Sequence, residues 1–127
     1  MPYKSARTVF SEEATVNAGV TSDPAFIHTA RHVGMMVENS GANSVDIAIE
    51  VTSSSDRSPG ANAADKWYPL SVRQADGTIT KYEFAVAASG KIALDLSPVS
   101  FTGVRLVATP TVDGLQGEVT AVLSWAT

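Results

Sequence analysis

The sequence predicts an all-β fold, an antiparallel β-sandwich or jelly roll of seven to nine short strands. Two observations carry this. Apolar residues alternate with polar or small ones at period two in segment after segment, which is how a strand sorts side chains between a buried and a solvated face. Clusters of Gly, Asn, Asp and Ser punctuate these segments at a spacing of about ten residues, the spacing of sandwich strands and their turns. No window shows a sustained apolar stripe at i, i+3, i+4 and i+7, so helix is not expected.

The elements follow in chain order. Residues 1–20 are read as an N-terminal arm or outer strand, and 21–127 as one sandwich domain. "SEEATV" offers Ser11 as a helix cap, but Thr15, Val16, Asn17 and Gly19 oppose a helix there. Val33, Met35 and Val37 alternate with Gly34, Met36 and Glu38, and Val45, Ile47, Ile49 and Val51 with Asp46, Ala48 and Glu50. Between them "NSGANS" (39–44) supplies turn residues, so 37–52 reads as a β-hairpin. The polar stretch 53–66 is long for a loop in a compact domain and is the expected contact surface. "KWYPL" ends it, with Pro69 marking an edge or bend. Asp76-Gly77 is a hairpin signal. Tyr82, Phe84 and Val86 form the next alternating run, "ASGK" (88–91) the next turn, and Ile92, Leu94 and Leu96 the run after it. Val104, Leu106 and Ala108 are expected inside, with Arg105 and Val107 on the other face. "VDGLQG" (112–117) turns the chain into a last strand with Val119, Ala121, Leu123 and Trp125 on one side.

Composition narrows the function classes. The chain has 127 residues, enough to bury a core without staples, and no cysteine, which removes disulfides and thiolate metal sites. Only 17% of residues are charged, so small uncharged side chains must cover part of the surface. A net charge of −4 without clustered Lys or Arg argues against nucleic acid as partner. The N-terminus lacks an apolar signal core and no run approaches a membrane span, so a soluble protein assembled in the cytoplasm is expected.

Candidate chemistry is sparse. His28 and His32 have zinc-site spacing for a helix. On a strand they stand roughly 13 Å apart, too far for one ion. Asp56 and Asp65 lie in an oxygen-rich loop that lacks the EF-hand pattern. There is no GxSxG, and "SGANS" lacks the Lys and following helix of a phosphate loop. Glu12 and Glu13 read as solvated charges. The chain is therefore expected to be neither an enzyme nor a cofactor or metal binder. Trp67 and Tyr68 admit two readings: a sugar-stacking platform, or, for Trp67, a plug at one end of the sandwich. The arm, with Tyr3, Arg7 and Phe10, forms an outer strand of its own domain or adds a strand to a neighbour.

The stretch "VENSGANSVDIAIEVTSSSD", then "KWYPL", then "KIALDLSPVSFTGVRLVATPTVDGLQGEVTAVLSWAT" resembles the small β-sandwich proteins of tailed-phage virions over roughly residues 26–127. The elements are Val37, Asn39, Gly41, Asn43 and Val45; Ser54 to Asp56 with Trp67; and Val104-Arg105-Leu106. The interval between Asp56 and Trp67 is longer here than in that pattern. The resemblance implies a capsid decoration (cement) protein on the capsid surface, often a trimer, that bridges major capsid protein subunits. Its partner-binding residues are expected among Tyr3, Arg7, Phe10, Asp56, Arg57, Trp67 and Tyr68. The alternatives are a tail-tip or baseplate module and a carbohydrate-binding sandwich with a glycan as partner.

Overall fold

The computed structural model describes residues 4–27, 32–53, 66–96 and 101–126. Among them run twelve strands: β1 (Lys4–Ala14), β2 (Val20–Thr21), β3 (Ala25–Phe26), β4 (His32–Asn39), β5 (Val45–Thr52), β6 (Tyr68–Pro69), β7 (Ser71–Arg73), β8 (Ile79–Lys81), β9 (Glu83–Val86), β10 (Lys91–Asp95), β11 (Gly103–Pro110) and β12 (Glu118–Ala126). Every pairing is antiparallel. One sheet has the order β1-β12-β4-β10. In the other, β11 and β5 are central, β2 and β3 flank β11, and β6 and β9 flank β5. This is a jelly roll, in which strands close in sequence belong to opposite sheets.

The count exceeds the expected seven to nine because two edge lines are broken. β2 and β3 pair with the two ends of β11 and are separated by Ser22, Asp23 and Pro24. Pro24 has no N–H to give to a ladder. β6 and β9 pair with successive parts of β5, and the hairpin β7–β8 is inserted between them. Leu70 N donates to Ile49 O at 2.8 Å and Tyr82 N to Leu70 O at 2.7 Å, which closes the sheet behind the insertion.

The core lies between the sheets. Val33, Met35 and Val37 from β4 and Val119, Ala121 and Leu123 from β12 face Val45, Ile47, Ile49 and Val51 from β5 and Val104, Leu106 and Ala108 from β11. Each fully buried aliphatic side chain of this kind contributes about 1.5–3 kcal/mol over an exposed one. Ile92, Leu94 and Leu96 point the same way but are half-buried, because β10 is an end strand.

The first residues form an edge strand. β1 runs along β12 from Lys4 to Ala14, with register shifts after Thr8 and after Phe10. The shifts bring the neighbours Val9 and Phe10 both into the core. Glu12 has φ of 48°, the local cost of the second irregularity. Val9 and Phe10 of β1 are therefore part of the core.

The hairpin expected at 37–52 is not formed. β4 and β5 lie in different sheets, and 39–44 carries the chain from one layer to the other. The turn between β9 and β10 and the turn between β11 and β12 make the same crossing. The three crossings meet at Asn39, which is fully buried. Its Nδ2 donates to Asn43 O at 2.8 Å, Val86 O at 3.1 Å and Ala87 O at 3.3 Å. Its Oδ1 accepts from Gly41 N at 3.0 Å and Glu118 N at 3.3 Å. The crossings pack so closely that a Cβ on Gly41 would lie 2.6 Å from Glu118 N. One on Gly117 would run into Val45 and lie 2.8 Å from Asn43 O. By contrast, the Asp76-Gly77 hairpin forms as expected: β7 pairs with β8, Gly77 takes φ of 89°, and Asp76 Oδ1 accepts from Thr78 N at 2.9 Å and Thr78 Oγ1 at 2.6 Å.

Candidate contact surfaces

Trp67 lies on the outer face of the sheet that holds β5 and β11. Residues directly opposite across a ladder share a face, so Arg105 meets Glu50 and Gly103 meets Thr52 there. Arg105 Nε and Nη2 both reach Glu50 Oε1 at 2.7 Å. The Arg105 guanidinium carbon sits 4.6 Å from the Trp67 ring centre, a cation–π stack. Phe26 packs against the indole at 6.3 Å between centres. Gly103 makes room for this, since a Cβ there would stand 2.9 Å from Thr52 and 3.2 Å from the indole. Trp67 is thus buried at 5% exposure, and Arg105, expected to face outward, is equally buried beneath it. Burial of this ion pair is tolerable because the carboxylate and the ring face together cover the guanidinium.

Tyr68 points elsewhere. It is 67% exposed and lines a cleft of about 400 Å³ together with Phe101, Leu70, Lys66, Ser53 and Ser71. An aromatic face, an ammonium and two hydroxyls make a surface able to stack on a ring and hydrogen-bond its rim. Val72 and Ile79, on the inserted hairpin, are also exposed.

The outer face of the β1-β12-β4-β10 sheet is the third surface. Across it Thr8, Val122, Met36 and Ala93 form one row, and Ala6, Ser124, Gly34 and Asp95 the next. Met36 is 58% exposed. Small uncharged side chains dominate these two rows, and the row beside them holds Lys91, Glu38 and Thr120.

Of the expected partner-binding residues, Tyr3, Asp56 and Arg57 lie outside the described residues, as does His28. Phe10 and Trp67 are buried and present almost no surface to a partner as they stand. Arg7 turns back on its own chain: Nη1 donates to Pro24 O at 2.7 Å and Nη2 lies 3.6 Å from Asp23 Oδ2, tying β1 to the β2–β3 edge. Tyr68 remains as an exposed member of the set. His32 is exposed on β4, and among the described residues no group of three or more His, Cys, Asp or Glu is placed to hold a metal ion. The sequence reading missed Arg105 and Phe101. The signal for Arg105 was present: Glu50 and Arg105 are opposite charges at matching outward positions of two alternating strands.

No protein-family model and no curated protein matches the chain. Solved structures do share its fold. The SPBc2 prophage-derived protein YomS superposes with a TM-score of 0.61 at 14% identity, covering 100% of this chain and 96% of that one. A protein of Bacillus endospore appendages, described as a family of disulfide-linked pili, gives a TM-score of 0.50 at 11% identity, covering 98% and 89%. A structure of infectious bursal disease virus, Gx strain, gives 0.47 at 13% identity over 99% of this chain and 33% of that one. The chain is similar in fold to the first two of these proteins.

Proposed function

We propose that the chain is a structural protein of a tailed-phage particle, of the capsid decoration type, holding neighbouring major capsid protein subunits together at the capsid surface. The observation that carries this reading is the end-to-end fold likeness to a prophage-derived protein, with almost the whole of each chain included. The low charge and the two rows of mostly small side chains on the outer face of the β1-β12-β4-β10 sheet support it, since such rows lose little solvation on contact with a protein partner. The disulfide linkage named for the endospore appendages has no counterpart here, because the chain has no cysteine.

Quantitative mass spectrometry of purified particles tests the reading. The decoration role predicts copies in the hundreds per particle. A few copies per particle would assign the chain to a tail tip or baseplate instead, and no copies would reject a virion role.

A further inference from the structure

Among the described residues, three of the four edges of the two large sheets are broken. β1 shifts register twice, β2 and β3 are two-residue pieces, and the β6/β9 line contains Pro69 and the inserted hairpin. Such interruptions keep edges from templating another strand. β10 differs: Lys91 to Asp95 pair with β4 in unbroken register, without proline or bulge. Among the described residues no strand lies on its other side.

We propose that β10 is a self-association edge, along which a second copy of this chain pairs antiparallel about Ala93 and joins two four-stranded sheets into one of eight.

The direction of the backbone groups fits this register. Leu96 N donates to Val33 O at 2.8 Å, and Asn39 N to Gly90 O at 3.0 Å. Positions 90, 92, 94 and 96 therefore turn their N–H and C=O groups toward β4, and alternation turns those of 91, 93 and 95 away from it. Centred on Ala93, residue 91 faces 95 of the second copy, 93 faces 93, and 95 faces 91. Every outward-directed position meets another.

The side chains are self-complementary in the same register. Lys91-Ile92-Ala93-Leu94-Asp95 places an ammonium opposite a carboxylate twice and Ile92 opposite Leu94 twice. Lys91 and Asp95 are exposed on the outer face, and Lys91 keeps 76% of its side chain in solvent despite lying 3.9 Å from Glu38. A lone edge Lys guards against pairing. Opposite charges four residues apart instead favour this one register, and a shift by two residues loses both pairs. On the inner face, Ile92 and Leu94 are half-buried, and a paired copy covers their open flank.

Sedimentation of the full chain over a concentration series tests the proposal. The wild type is expected to form a dimer. Ala93→Pro is expected to be a monomer with unchanged circular dichroism, because the N–H it removes points away from β4. Asp95→Lys sets Lys against Lys twice and is expected to weaken dimerisation at least tenfold; the swap Lys91→Asp with Asp95→Lys restores it. If Ala93→Pro does not fold, the charge variant and its swap decide. A monomeric wild type, or an oligomer that these substitutions leave unchanged, would overturn the proposal. The dimer is expected whether or not particles contain the chain, and it differs from the trimer that the phage resemblance implies.

Discussion

At the scale of single residues, two buried polar groups hold the crossings and the outer cover. Asn39 uses both ends of its amide on the turns that carry the chain between sheets. Asn39→Asp keeps the shape and the acceptor but removes the donor, setting a carboxylate against carbonyl oxygens. We expect a loss of about 3 kcal/mol at neutral pH by urea denaturation. The folded variant's carboxyl is held above its unfolded value by burial and by those oxygens, so its protonated form is the one that folds well. The deficit against wild type is therefore largest at neutral pH and shrinks as pH falls toward the unfolded carboxylate value of about 3.9. A deficit that does not change with pH would count against this role. Glu50→Ala removes the carboxylate oxygen that Arg105 Nε and Nη2 both reach beneath Trp67, and about 2–3 kcal/mol of stability should go with it. The exposed Lys81–Glu83 pair is the control, where Glu83→Ala should cost under about 1 kcal/mol. Equal losses in both would show that burial adds nothing to the first pair. Trp67 and Tyr68 show what a sequence leaves open here. Both are aromatic and adjacent, yet one seals a guanidinium and the other lines an open cleft. Composition sets their affinity for a surface but not which side the chain passes.

At the scale of elements, the strands were legible and their connections less so. Period-two alternation depends only on one face being buried, so Val45 to Val51 and Val119 to Leu123 could be placed in the core from sequence. A Gly- and Asn-rich turn reads the same whether it returns the chain within one sheet or crosses to the other. The turn at 39–44 was for that reason expected as a hairpin, and only the buried amide of Asn39 and the tight contact between Gly41 and residues 117–118 reveal the crossing. Asp76-Gly77 carried more information, because its two-sided hydrogen bonding from Thr78 is local. Those bonds, the side-chain one first, lower the Asp76 pKa below its ordinary value. A lowered folded pKa means the ionised carboxylate supports the hairpin above the unfolded pKa, and that support is lost as pH falls through the folded value. In Thr78→Val the Asp76 titration followed by NMR should move upward; an unmoved titration would contradict the assignment. The edge strand β1 covers Lys4–Ala14, within the first 20 residues that the sequence leaves open between an arm and an outer strand. The shifts that bury Val9 and Phe10 together were not visible, since alternation permits only one of two neighbours inside.

At the scale of the whole molecule, the structure is a jelly roll whose buried groups stabilise its own shape, and the open surfaces among the described residues include an aromatic cleft, the outer sheet faces and the intact edge at β10. Chain length, low charge and lack of cysteine point in the sequence to the contact role proposed above, but the surface that would meet a partner depends on how the chain folds over its own sheets, as at Trp67. The most direct measurement is electron cryo-microscopy of particles made with and without the gene for this chain. Repeated density of jelly-roll size, seated where capsid subunits meet and missing from the deletion particles, is the predicted result. Identical maps from the two preparations would contradict the account.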